Sequence, residues 1–316
     1  MNLMNSKNIA FLFAGQGAQY VGMGKELYDN IPECKEIFDK GEEILNMPIK
    51  DLIFNGPEED LLKTENAQPA IVLMTLAALK ALELQGVEAD FTAGLSLGEY
   101  TSLIYSKALS FEEGLLLVKE RGRIMGSALP EGLGKMAAIL KLSDEKMDEL
   151  LRRASEYGIC EGANYNCAGQ VVIAGENEAI DKAVEIATEL GGRGIPLKVS
   201  GPFHSSLLKE ASDDFYETIK DCNIGKLEKK VYSNVKGAQF DDTDDIKILL
   251  KNHIMSPVYF EKIIKDMMDN GVDTFIEIGP GKTLSGFVRK INRKANVLNV
   301  DNLDSLNSTV DKIKEA

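Results

Sequence analysis

Histidine is nearly absent from this chain, which has only His204 and His253 among 316 residues. Any general base with an ordinary pKa near neutrality must be one of these two. Cysteine is scarce as well. The four present, Cys34, Cys160, Cys167 and Cys222, lack the paired spacing of a zinc ligand set, so free thiols are expected and no metal. No apolar run reaches the length of a membrane span, and the stretch 1–7 has neither the basic start nor the apolar core of a secretory leader; a cytoplasmic protein is expected. Positive charge is short too: 36 Lys and Arg stand against 50 Asp and Glu, a net charge of -14, which argues against a nucleic-acid partner. It leaves room for a local basic pocket. The glycine-rich loops lack the Lys-Ser/Thr of a phosphate-binding P-loop, and no repeat, low-complexity tract or long linker interrupts the chain. With 44% hydrophobic and 27% charged residues, what remains is an ordinary globular composition with ample core for one large or two modest domains.

The stretch Phe91-Thr92-Ala93-Gly94-Leu95-Ser96-Leu97-Gly98-Glu99-Tyr100 reads as a buried strand running into a helix through a Gly-x-Ser-x-Gly turn. Such a turn is a nucleophile elbow, which holds its serine in strained backbone with the hydroxyl presented to a substrate. The next amide, that of Leu97, lies at a helix N-terminus, where partial positive charge favours an oxyanion. An ordinary glycine-bracketed strand-to-helix turn satisfies the same motif. Upstream, Ile9-Ala10-Phe11-Leu12-Phe13-Ala14 has the length and apolarity of a parallel strand buried on both faces. It ends in Gly15-Gln16-Gly17-Ala18-Gln19, either a plain connection or the source of a second oxyanion donor at the Gln16 amide. Gln68-Pro69 is expected to open a helix that is apolar nearly all round and therefore buried.

On the helix predicted over 111–129, the neighbours of Arg121 at helical spacing are Leu117, Val118, Ile124 and Met125, whereas those of Arg123 are Lys119, Glu120, Gly126 and Ser127. Arg121 is thus expected to be buried and Arg123 solvated. A buried guanidinium costs roughly several kcal/mol unless it meets an anion. That anion is either an internal Asp or Glu or the carboxylate of a substrate, unless the side chain snorkels to the surface.

Residues 127–199 then read as strand, helix, strand, strand, helix, strand, the βαββαβ order of a ferredoxin-like domain inserted into a larger α/β domain made of 1–126 and 200–316. His204 stands where the chain leaves the insert, at the expected cleft between the two. The remainder resumes an α/β pattern, with strands at 231–235, 273–278 and 295–300. Lys282, Arg289, Lys290, Arg293 and Lys294 cluster around one helix, either as a solvated face or as a landing site for an acidic partner.

Taken together, Gly15-Gln16-Gly17-Ala18-Gln19, Gly94-Leu95-Ser96-Leu97-Gly98-Glu99, Glu120-Arg121-Gly122, Ala163-Asn164-Tyr165-Asn166, Gly201-Pro202-Phe203-His204-Ser205, Ser233-Asn234-Val235 and Glu277-Ile278-Gly279-Pro280-Gly281 resemble, in order and over nearly the whole chain, the malonyl-CoA:acyl carrier protein transacylases. The resemblance implies a large α/β-hydrolase-like domain with a parallel sheet and a nucleophile elbow. It implies that Ser96 takes malonyl from coenzyme A as an ester and passes it to the phosphopantetheine thiol of acyl carrier protein, serving type II fatty acid synthesis. His204 would be the base, the amides of Gln16 and Leu97 the oxyanion hole, Arg121 the partner of the malonyl carboxylate, and Asn164 and Phe203 further substrate contacts. No bound cofactor is implied, and a monomer is expected. Two positions depart from the family pattern: Leu95 stands where histidine usually precedes the nucleophile, and His253 where glutamine is common and a backbone carbonyl orients the base. Leu95 is expected to change packing rather than activity, and His253 is an alternative base. Two other readings share these features, a serine hydrolase or thioesterase and a non-catalytic carrier-binding protein.

Overall fold

The computed structural model describes residues 8–130 and 132–315, so the leader question posed by 1–7 lies outside the described residues. No helix among them is long and apolar enough to cross a membrane. The chain folds as a mixed α/β protein with two sheets. The larger has six strands: β1 (Ile9–Phe13), β2 (Phe91–Gly94), β7 (Lys230–Ser233), β8 (Ala238–Gln239), β9 (Thr274–Ile278) and β10 (Asn296–Val300). Their order is β10-β9-β1-β2-β7-β8, parallel from β10 to β7 and closed at one edge by the antiparallel β8. Strand β1 lies at the centre because every one of its residues can be buried. Ile9, Phe11 and Phe13 face one core and Ala10 and Leu12 the other, as the two-residue period of a strand dictates. The first core packs under the helices Pro32–Leu45, Thr64–Glu83 and Phe111–Gly126, the second under Phe260–Asp269 and Thr283–Ile291.

The smaller sheet contains β3 (Lys135–Leu140), β4 (Cys160–Cys167), β5 (Gln170–Gly175) and β6 (Arg193–Pro196), all antiparallel and ordered β4-β5-β3-β6. The helices Asp144–Ala154 and Asn177–Glu189 cover one face with a core of their own. Strand β4 is tied to the large unit: Tyr165 N donates to Val258 O at 2.9 Å, Val258 N donates to Ala163 O at 2.8 Å, and the Tyr165 and Tyr259 rings stack. These bonds fix the small sheet over the carboxyl ends of β1 and β2.

Several boundaries differ from the sequence reading. The helix expected to open at Gln68 begins at Thr64 and carries Pro69 inside it. One missing N–H near an end is offset by burial of 16 of the 20 residues of that helix, including Gln68, Pro69 and Ala70. Strand β6 stops at Pro196, three residues before the expected 199, although one further bond, Leu197 N donating to Met136 O at 2.9 Å, still ties the chain to β3. The helices Lys209–Ile219 and Leu303–Glu315 add coverage where no motif drew attention.

Candidate active site

The turn between β2 and the helix Gly98–Tyr105 is as tight as its glycines allow. A Cβ on Gly94 would strike the backbone of Gly98, and one on Gly98 would strike Phe13 O, so strand, turn and helix pack backbone to backbone. Ser96 sits at the apex with φ +51°, a left-handed conformation that an L-residue adopts only when its surroundings hold it there. The holder is Asn234, just beyond β7. Its Oδ1 accepts from Ser96 N at 2.7 Å and its Nδ2 donates to Gly94 O at 2.8 Å, while its own N–H donates to Glu99 Oε2 at 2.7 Å. One buried side chain thus clasps both ends of the elbow.

His204, in the segment that returns from the small sheet, also has a positive φ, +61°. That conformation brings its ring to the serine: Nε2 lies 2.7 Å from Ser96 Oγ. Its Nδ1 lies 2.8 Å from the carbonyl oxygen of His253, which can only accept. The proton therefore resides on Nδ1, leaving Nε2 free to accept from the serine hydroxyl. Burial, reinforced by the nearby Arg121 cation, lowers the His204 pKa to about 3, and the ring is neutral at working pH. Among the described residues no carboxylate hydrogen-bonds to it; a backbone carbonyl takes the orienting place.

Arg121 is 1% exposed, as the helical spacing predicted, while Arg123 is exposed and pairs with Glu120. Nη1 donates to Gln68 Oε1 at 2.9 Å, Nη2 donates to Ser96 Oγ at 3.0 Å, and the guanidinium carbon lies 5.1 Å from the centre of the Tyr100 ring. Among the described residues no carboxylate forms an ion pair with it, and Nε has no hydrogen-bond partner. The internal salt bridge that would have explained a buried arginine is therefore missing. Gln68 in turn donates to Gln16 Oε1 at 3.3 Å, and Gln16 Nε2 donates to Thr64 Oγ1 at 3.1 Å, so the loop after β1 is braced against the arginine.

These groups line a cleft of about 250 Å³ between the two sheets. Gln16, Ser96, Arg121, Asn164, Phe203 and His204 all border it. Among the described residues, the amides of Gln16 and Leu97 are engaged by no other hydrogen bond. Leu95 borders the cleft as well and packs its side chain into the second core. His253 does not reach the cleft: its ring is fully buried behind His204, with centroids 5.3 Å apart. The basic residues Lys282, Arg289, Lys290, Arg293 and Lys294 are all exposed, and Lys290 Nζ donates to Gln170 Oε1 on the small sheet at 2.8 Å. The sequence did not single out Gln68, Glu99 or Asn234 as members of this network. The one available signal was a polar residue set in a helix apolar nearly all round, which applies to Gln68; Glu99 and Asn234 appeared only within the motifs that carry the family resemblance. No group of three metal-ligating side chains occurs among the described residues.

The family model described as an acyl transferase domain matches residues 10–307. The chain is 43% identical over 309 residues to the malonyl CoA-acyl carrier protein transacylase of Bacillus subtilis (strain 168), covering 97% of this chain and 98% of that protein. It superposes on the crystal structure of malonyl CoA-acyl carrier protein transacylase from Clostridium perfringens with a TM-score of 0.95 at 50% identity, covering 97% of each chain. It is also similar, at a TM-score of 0.93 and 31% identity over 96% of this chain and 99% of the other, to a malonyl-transacylase solved in complex with a type II PKS acyl-carrier protein in its holo form.

Proposed function

Since this chain belongs to the acyl transferase family, among its malonyl CoA-acyl carrier protein transacylases, we propose that it moves a malonyl group from malonyl-CoA to the phosphopantetheine thiol of acyl carrier protein, supplying fatty acid synthesis. The observation that carries this reading is a buried arginine with no carboxylate partner, bonded to the hydroxyl of a serine that is itself bonded to a histidine. A nucleophile and a cation share one cleft, as an acyl group bearing a free carboxylate requires.

In the first half-reaction Ser96 Oγ attacks the thioester carbonyl while its proton passes to His204 Nε2. The carbonyl oxygen becomes an oxyanion received by the amides of Gln16 and Leu97, one donor from each side of the elbow. The coenzyme A thiolate departs with the proton from His204, leaving malonyl as an ester on Ser96. The second half-reaction reverses the roles: the carrier thiol gives its proton to His204, attacks the ester, and Ser96 leaves with that proton. The His253 carbonyl stabilises the imidazolium each time by accepting from Nδ1, in place of a triad carboxylate. Arg121 trades its bond to Ser96 Oγ for the malonyl carboxylate, which fixes the far end of the acyl group while the near end reacts. Asn164 and Phe203 close the cleft around the chain between them, and Leu95 serves packing alone.

In this reading residues 127–199 form an inserted ferredoxin-like domain, for which the strand order β4-β5-β3-β6 speaks, on an α/β-hydrolase-like unit made of 1–126 and 200–316. Acyl carrier protein docks on the basic surface of Lys282, Arg289, Lys290, Arg293 and Lys294, which adjoins the small domain through Lys290. The enzyme acts as a monomer in the cytoplasm. A thioesterase would use the same elbow, so the deciding assay follows labelled malonyl from malonyl-CoA in the presence of holo carrier protein. Transfer to the carrier that outpaces release of free malonate supports the proposal; release to water with no carrier adduct overturns it.

A further inference from the structure

On the side of the catalytic pair away from the cleft lies a group of buried polar side chains that the transfer steps leave unused. Glu99 is its centre. Its side chain is fully buried on the helix Gly98–Tyr105, and its one hydrogen bond among the described residues is accepted at Oε2 from the Asn234 amide, 2.7 Å away. Oε1 has no partner. The nearest basic atom, His253 Nδ1, is 3.8 Å from Oε2, and neither nitrogen of that ring makes a hydrogen bond. A carboxylate so enclosed, with one hydrogen bond and no guanidinium or ammonium against it, is far less stable than the corresponding acid.

We propose that Glu99 is held as an uncharged carboxylic acid in the working enzyme, so that the charge of Arg121 stays unpaired and available to the carboxylate of the acyl group. Glu99 is then a specificity-determining residue that never touches the substrate. The inference rests on the malonyl-transfer reading and deepens it, for Arg121 selects an anionic acyl group only while no internal anion competes for its charge.

The surroundings on every side bear on the ionisation. From the helix Phe111–Gly126 comes Arg121, whose cation favours the carboxylate. From the helix Ile246–His253 comes His253, which burial holds neutral, and beyond it His204, neutral for the same reason. Tyr100 on the same helix is an un-ionised phenol, and the backbone of Asn234 supplies the only donor. Burial outweighs the donor and the cation, and the Glu99 carboxyl is pushed up to about 8. At neutral pH it keeps its proton. As pH rises past that value it becomes an anion, offsets part of the field of Arg121 and weakens the hold on malonyl. An acetyl group, which has no carboxylate, is indifferent to the change.

Two measurements test this. An infrared difference spectrum of the substrate-free wild type minus Glu99→Gln at neutral pH should contain the carbonyl stretch of a carboxylic acid, and the band should disappear as the solution is made alkaline. The ratio of kcat/KM for malonyl-CoA over acetyl-CoA should fall about tenfold in wild type between neutral and distinctly alkaline pH, a single ionisation acting on one charge pair. It should stay level in Glu99→Gln, whose amide oxygen still accepts from Asn234. Absence of the acid band, a level ratio in wild type, or an unchanged fall in Glu99→Gln each overturns the proposal. Should Glu99→Gln not fold, the wild-type profile alone decides. Failure to transfer malonyl at any pH would sink the transfer reading instead, and the infrared band would still report on Glu99.

Discussion

Replacing Asn234 by alanine isolates what holds the nucleophile in place. The substitution removes two hydrogen bonds, to Ser96 N at 2.7 Å and to Gly94 O at 2.8 Å, and leaves the backbone bond from Asn234 N to Glu99 intact. An unpaired buried donor or acceptor costs about 1–3 kcal/mol. The Gly94 carbonyl is buried and bears the full penalty, whereas Ser96 borders the cleft and recovers part of its bond from water. The expected loss of stability is therefore about 2–4 kcal/mol, within reach of urea unfolding. The larger consequence is kinetic. Ser96 at φ +51° is a strained conformation costing about 1–3 kcal/mol, and without its clasp the turn relaxes. An ångström of displacement at Oγ breaks the contact with His204 and slows acylation by about 100-fold. Single-turnover formation of the acyl-enzyme, followed by mass with malonyl-CoA and then with acetyl-CoA, should show an equal loss for both because Arg121 is untouched. A variant that unfolds like wild type and acylates within about twofold of its rate would refute the claim that Asn234 sets the elbow.

Arg121→Ala should lower kcat/KM for malonyl-CoA by about 100-fold and for acetyl-CoA by much less, from loss of a charge-assisted contact to one acyl group only; equal losses would remove its selective role. His204 and His253 should together lower stability on acidification below about pH 6.5, since the unfolded chain protonates both while the native state, with His204 lowered to about 3 and His253 well below its usual value, protonates neither; Glu99, protonated in the native state, offsets one of these two protons until the unfolded carboxyl is itself protonated. Urea unfolding at several pH values checks the sign, and His253→Gln should flatten the acid limb; an unchanged slope would show that His253 does not contribute. Reversing charge at Arg289 and Lys290 together should raise KM for carrier protein by about tenfold and in a salt-dependent way, with a smaller effect on malonyl-CoA; an unchanged KM for the carrier would move the docking surface elsewhere.

Much of the site could be read in advance because its members carry local signatures. The glycines around Ser96 mark a turn that admits no side chains, and the apolar neighbours of Arg121 at helical spacing mark its burial. His204 stood out by scarcity. Asn234 was marked only as part of the Ser233-Asn234-Val235 motif and with no role: it is one polar residue after a short strand, 138 positions from the serine it clasps, and only the pairing of β2 with β7 brings them together. The role of the His253 carbonyl is equally invisible to composition, since any residue supplies one. The sheets were legible from apolar runs such as β1, while the start of the helix at Thr64 was hidden by Pro69, whose preference for a first turn gave way to the burial of the helix around it.

Malonyl transfer by this chain turns on an ester between malonyl and Ser96. Intact-mass measurement after brief mixing with malonyl-CoA should show the wild-type protein heavier by one malonyl group, the adduct lost on adding holo carrier protein, and Ser96→Ala unmodified. An adduct that persists in Ser96→Ala, or a wild-type protein that never gains mass, would contradict it.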